Sequence, residues 1–230
     1  MLPSIHPAGR PFIGLFALGA LGLIVAFGGA GAALGALLLA WCVYFFRDPV
    51  RVTPSRPGLV VSPADGRVVA VATVVPDPDL GLGVEPRQRI SIFLDVFDVH
   101  VNRVPLDGLV VHRHYRPGTF VNASLDKASV DNERAAIALE ITGGHPFAGQ
   151  RIGVVQIAGL IARRIICGAG PGDRFRAGER YGLIRFGSRT DVYLPPGLAP
   201  LVAVGQRMIG GETVLADCLS DEPPRQGEAR

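Results

Sequence analysis

From Pro11 to Phe46 the chain runs for 36 residues without a formal charge, and this run limits the possible folds more than any other feature. Apolar runs above about 18 residues read as membrane candidates. The run is too long for one globular helix, and no small-x-small cleavage site followed by a polar start marks it as a removable leader. One span needs about 20 residues at 1.5 Å each, whereas Gly28-Gly29-Ala30-Gly31 divides the run into halves of about 15. A single tilted span would place Arg10 and the Arg47/Arg51 pair on opposite sides, against the usual positive-inside bias. A re-entrant hairpin or shallow anchor keeps both ends cytoplasmic and is preferred. Residues 1–47 are therefore expected to attach to the cell membrane, with the remainder on its cytoplasmic side.

A chain of 230 residues leaves room for one folded domain beyond this segment. Arg47-Asp48-Pro49-Val50-Arg51 through Pro54 and Pro57 reads as an exit from the bilayer surface, and the domain is expected over residues 48–220. Short β-branched runs broken by turn residues recur there, at 59–62, 68–75, 90–93, 109–111, 135–141, 152–157 and 183–186. Their spacing favours a mainly β (α+β) fold, a β-sandwich or barrel-sandwich-like domain, over alternating βα units. The tail 221–230, rich in Pro, Glu and Arg, is expected to be disordered.

Residues 172–179 and 205–212 share the frame Gly, polar, Arg, apolar, two variable residues, Gly, Glu. This is either a repeated turn unit or two ordinary hairpins. The frame is similar to the turn of lipoyl- and biotinyl-carrier domains, but neither copy has the modifiable lysine. Cys42, Cys167 and Cys218 have no metal-ligand spacing and are odd in number, so neither zinc nor a disulfide framework is suggested. A reducing compartment follows. Lys127 is the only lysine, so chemistry through a lysine Schiff base could use no other residue.

Of the eight serines only Ser188 follows a glycine. Glycine tolerates backbone conformations closed to other residues, so a strained Gly187-Ser188 peptide is a plausible target for its own hydroxyl. A serine nucleophile needs a base, and the base usually needs a carboxylate to orient it. His100 and Asp65 can fill these roles if the fold brings them to Ser188. Taken alone, Asp65-Gly66 is equally a turn dipeptide, and His100 a structural histidine at a strand end.

Seven motifs in order change that balance: Phe45-Phe46-Arg47-Asp48-Pro49, Pro63-Ala64-Asp65-Gly66, Phe97-Asp98-Val99-His100-Val101-Asn102-Arg103, Tyr115-Arg116-Pro117-Gly118, Asn122 to Ser129, Asn132-Glu133-Arg134 and Arg185-Phe186-Gly187-Ser188. Together they resemble phosphatidylserine decarboxylase proenzymes of the short bacterial and archaeal type, over about residues 45–195. The resemblance implies that Ser188 attacks the Gly187 carbonyl, and that β-elimination then leaves residue 188 as an amino-terminal pyruvoyl group. The products would be a β subunit ending at Gly187 and an α subunit beginning at residue 188, held as a heterodimer. The pyruvoyl carbonyl would condense with the amine of phosphatidylserine and draw off electrons as carbon dioxide leaves, giving phosphatidylethanolamine.

By motif match Asp65 carries over as the carboxylate that supports self-cleavage, and His100 as the histidine near the reacting centre. Longer family members have a second histidine three residues later; here that position is Arg103, which cannot act as a base at neutral pH. Either His100 serves both steps or a base comes from elsewhere, with His112 and His114 as candidates. Arg103 and Lys127 are expected to bind or position the substrate. Two other classes compete: a membrane-anchored carrier or scaffold module, and a serine hydrolase using Ser188, His100 and Asp65, which would lack the Gly-x-Ser-x-Gly elbow.

Overall fold

The computed structural model describes residues 4–118, 132–144, 146–159, 164–185 and 187–228. They form two compact units: one reaches Val50 and includes Val96–Val99, the other takes Arg51–Asp95 and His100 onward.

In the first unit, strand β1 (Ser4–Ile5) precedes helix α1 (Arg10–Phe45), and strand β2 (Arg47–Asp48) follows it. Gly28 breaks α1 with φ 58° and ψ −130°, in the left-handed range that only glycine enters at little cost. Beyond the break the two arms fold back on each other in nested pairs. Phe12 stacks on Phe46 at 5.4 Å between centroids, and Phe16 packs on Trp41 at 6.4 Å. Nearer the bend, a Cβ on Gly35 would fall 2.8 Å from Ala20, and one on Gly31 would run into the Leu23 carbonyl. These glycines let the backbones approach, as small residues do between apolar helices. β1 pairs antiparallel with β2, Ser4 opposite Asp48, so both ends of the hairpin leave together. Leu15, Leu18, Leu21, Phe27, Leu34 and Leu37 all stay exposed.

The second unit is built from β3 (Leu59–Val61), β4 (Gly66–Val74), β5 (Arg87–Leu94), β6 (Val101–Arg103), β7 (Gly108–Arg116), β8 (Arg134–Ile141), β9 (Arg151–Ala158), β10 (Ile165–Cys167), β11 (Arg174–Phe175), β12 (Arg180–Ile184), β13 (Ser188–Tyr193), β14 (Arg207–Met208) and β15 (Val214–Asp217). Every pairing is antiparallel. An eight-stranded sheet in the order β11-β7-β8-β9-β13-β5-β4-β14 stands with a three-stranded sheet β10-β12-β6 and the pair β15-β3. The fold is thus mainly β and sandwich-like, with one long apolar helix at its start. One face of the large sheet contributes Ile90, Ile92, Leu94, Ile137, Leu139, Ile152, Val154 and Val192 to the main core, which Val60, Tyr181, Leu215 and Ala216 close from the smaller sheets. Each such apolar side chain contributes roughly 1.5–3 kcal/mol by burial.

The large sheet repeats itself about its centre. β4 and β7 each have nine residues, each follows an aspartate (Asp65, Asp107), and each shifts register after its third residue. β14 and β11 add the short outer strands, and their flanking glycines match: Gly205 and Gly172 at φ 93° and 96°, Gly211 and Gly178 at 81° and 80°. The frames at 172–179 and 205–212 are therefore equivalent turn units on opposite edges. The Oδ1 atoms of Asp65 and Asp107 accept 2.8 Å hydrogen bonds from Gly210 N–H and Ala177 N–H, equivalent positions in those units. In the same relation β13 matches β9, which sets Gly187-Ser188 against Gly149-Gln150; Gly149 also has a positive φ, 80°. The tail has no regular secondary structure as far as residue 228. Arg225 nevertheless anchors it, donating to the carbonyls of Pro200 and Leu201.

Candidate active site

β12 belongs to the small sheet and β13 to the centre of the large one, so the chain changes sheets across residues 185–187. Gly187 turns that corner at φ 67°, a conformation costing other L-residues roughly 1–2 kcal/mol. Ser188 then opens β13, opposite Leu94 on one side and Ala158 on the other. It is fully buried, and its Oγ has no hydrogen-bond partner among the described residues. A hydroxyl left in that state costs about 1–3 kcal/mol.

His100 precedes β6 and is also fully buried. Its Nε2 accepts the Gly187 N–H over 3.3 Å. The imidazole thus lies against the backbone N–H of Gly187, on the N-terminal side of the Gly187-Ser188 bond. Two residues on, Asn102 points the same way, as strand alternation requires, and its Nδ2 donates to Thr190 Oγ1 at 3.4 Å. Gln156 Nε2 donates to Asn102 Oδ1 at 2.8 Å and to Ile166 O at 3.3 Å. Because the Ile166 carbonyl can only accept, the nitrogen of Gln156 must face it, which fixes both amide orientations. Gln156 Oε1 remains buried without a partner among the described residues, on the same sheet face as Ser188 and diagonal to it across β9 and β13.

Asp65 lies at the same end of the sheet but two strands away, about 10 Å at the usual strand spacing. Its carboxylate receives both bonds from Arg51 Nη2, at 2.9 and 2.7 Å, besides the Gly210 N–H. Ser188, His100 and Asp65 therefore form no hydrogen-bonded triad. Arg103 follows His100 by an odd number of residues and turns to the other face of β6, where its Nη1 donates to Gly178 O at 2.8 Å. His112 and His114 lie on β7, with β8 and β9 between them and β13, and engage Asp79: His112 Nε2 is 2.9 Å from its carbonyl, His114 Nδ1 3.7 Å from its carboxylate. Lys127 and the polar segment around it lie outside the described residues. Next to the corner, burial and then the charge of Arg164 lower the pKa of Arg185, which nonetheless stays a cation.

Sequence reasoning missed Gln156 and Arg51. The first had a signal, since Gln156 is the one polar residue in the apolar run Ile152–Ile157. Arg51 had none; only the fold carries it to Asp65.

The family model described as Phosphatidylserine decarboxylase matches residues 38–216. The chain belongs to the phosphatidylserine decarboxylase family. It is 58% identical to the phosphatidylserine decarboxylase proenzyme of Paramagnetospirillum magneticum over 98% of this chain and 92% of that protein. A relative with the same name from Cereibacter sphaeroides is 54% identical over 100% of this chain and 96% of its own length. A third, from Granulibacter bethesdensis, is 58% identical over 94% of this chain and 86% of its own. Within the family match fall the end of the hairpin's second arm, both equivalent turn units and the Gly187-Ser188 corner.

Proposed function

We propose that this chain is a phosphatidylserine decarboxylase zymogen that cuts itself between Gly187 and Ser188. The observation that carries this reading is the buried Ser188 Oγ, without a partner among the described residues, on a positive-φ glycine corner, with His100 bonded to the N–H of that same glycine. Ser188 Oγ attacks the Gly187 carbonyl carbon, the C–N bond breaks, and an ester joins the two segments. The hydroxyl proton leaves as the amine of residue 188 gains one, and His100, at the neighbouring glycine, is assigned to move it. Loss of the Ser188 α-proton and departure of the Gly187 carboxylate then break the ester. Water replaces ammonia at the unsaturated residue, leaving a pyruvoyl group.

The surroundings suit such a group: it would keep the buried place of Ser188 at the head of β13, flanked by His100 and by the polar belt of Asn102, Gln156 and Thr190. When formed, it supplies a carbonyl that takes up the serine amine of phosphatidylserine and accepts the electrons released with carbon dioxide. β13 remains hydrogen-bonded to β5 and β9 over all six of its residues, which holds the two subunits together after the cut. Asp65, locked by Arg51, fixes the turn that starts β4. Arg103 and Lys127 are assigned to substrate positioning. The apolar hairpin inserts into the membrane from the cytoplasmic side and brings the domain to its lipid.

Mass spectrometry of the purified protein tests this reading. Two fragments are expected, one ending at Gly187 and one starting at residue 188 with the mass of a serine less ammonia. Ser188→Ala should stay intact and inactive. An intact chain in a preparation that decarboxylates phosphatidylserine would overturn the proposal.

A further inference from the structure

Val96–Val99 packs with the apolar hairpin although about fifty residues separate them in sequence. Arg47 is the fastening. Its Nη2 donates to Phe97 O at 2.7 Å, its Nη1 donates to Tyr44 O at 2.8 Å, and its guanidinium lies 3.7 Å from the centroid of the Tyr44 ring. Tyr44 is in the last turn of α1, so Phe97 is pinned to the polar end of the hairpin. Its sequence neighbours Asp98 and Val99 are buried, whereas Phe97 is 60% exposed and Tyr44 47%. Leaving a phenylalanine out of an apolar medium forgoes much of the gain from burying it.

Two exposed aromatic rings and an arginine, at the end of an apolar hairpin with uncovered leucines, have the composition of a bilayer interface. We infer that Phe97 and Tyr44 seat in the boundary between headgroups and acyl chains, with Arg47 drawn to an anionic lipid surface. This surface is separate from the hairpin core: it belongs to a loop that continues into His100. His100 comes three positions after Phe97, a reach of at most about 11 Å. Seating Phe97 at the interface therefore keeps His100 near headgroup level, where a serine headgroup lies.

The inference rests on the decarboxylase reading for its kinetic arm only. For the optical arm, Phe97→Trp is made in a full-length Trp41→Phe background and mixed with phosphatidylcholine vesicles containing one-fifth phosphatidylserine. Emission should shift to the blue, and bromines near the headgroup end of the acyl chains should quench it more than deeper ones. Water-like emission without quenching would overturn the inference. For the kinetic arm, Phe97→Ser should raise KM about tenfold on vesicle substrate, the scale of losing part of one buried aromatic side chain. Turnover of dispersed short-chain phosphatidylserine and self-cleavage should not change. Equal losses on both substrates would sink the inference. Wild-type protein that neither cuts itself nor turns over either lipid would instead sink the decarboxylase reading, and leave the quenching result standing.

Discussion

Gly187 donates its backbone N–H to Nε2 of His100 over 3.3 Å, so in the uncut chain this imidazole nitrogen is an acceptor and carries no proton. A ring nitrogen free of its proton, held at the glycine that precedes the proposed cut, is what a proton-moving group requires. Replacing His100 with Ala should slow self-cleavage by about 10²–10⁴, the usual contribution of a positioned acid or base. A time course of precursor loss on a denaturing gel measures it; cutting at the wild-type rate would remove His100 from the step.

Gly187 offers a cleaner test of the corner, because a Cβ there would meet nothing within 4 Å among the described residues. The cost of Gly187→Ala is then backbone strain alone, about 1–2 kcal/mol, or a few degrees of Tm for a domain of this size. Thermal melts should compare Gly187→Ala and Gly187→Asn on a Ser188→Ala background, which stays uncut. Asn, which tolerates positive φ better, should lose less.

The internal repeat supplies its own controls. Asp107→Asn and Asp65→Asn weaken equivalent turn bonds, to Ala177 N–H and Gly210 N–H, but only Asp65 also binds Arg51. Asp107→Asn should lose about 0.5–2 kcal/mol in urea melts, on the scale of a lost side-chain cap, and Asp65→Asn more, because it also gives up the ion pair with Arg51. Only Asp65→Asn should also slow cleavage. Arg51→Gln should reproduce that slowing, and equal cleavage rates for the Asp65 and Asp107 variants would reduce Asp65 to a turn residue.

At the twin corner Gln150 stands where Ser188 stands in its own half. Gln150→Ser on the Ser188→Ala background should give no cut between residues 149 and 150, as read by intact-mass measurement. A glycine corner alone does not suffice without His100 beside it.

Asp77 predicts acid sensitivity. Burial raises its pKa, but hydrogen bonds from Arg134, at 2.5 Å, and from the Asp79 backbone outweigh this and hold it below the ordinary value, helped by the charges of Arg134 and Arg116. A folded-state pKa below the unfolded one contributes stability that is present above about pH 4 and lost as pH falls through the folded value. Urea melts at pH 6 and below should show the wild-type domain weakening in that range. Asp77→Asn should be weaker at pH 6 and flatter towards acid.

Most of the large sheet was legible because its strands bury apolar, β-branched runs: each of the seven expected runs falls on β3, β4, β5, β7, β8, β9 or β12. β13 was not legible, although it lies near the centre. Ser188-Arg189-Thr190-Asp191 reads as a loop, yet all four residues are buried. The charges of Arg189 and Asp191 satisfy each other through two bonds of 2.8 and 2.9 Å on one face, and Thr190 meets Asn102 on the other. Pairwise satisfaction of this kind is invisible to hydropathy. The hairpin was legible for the opposite reason: its bend depends on a local glycine, and Gly28 takes the one conformation that other residues avoid. Asp65 was recognisable as a residue, but its partner Arg51 is set by tertiary structure alone.

The pairing of Ser4 with Asp48 has a topological consequence for the proposed membrane role. A hairpin whose two ends are stitched together would emerge from one side of a bilayer, and the domain that follows it would then face a single monolayer. Phosphatidylserine in the opposing monolayer would have to flip before it could react. Phosphatidylethanolamine would accumulate first where it is made, so the rate at which the two monolayers come to share it would be set by lipid translocation and not by this enzyme.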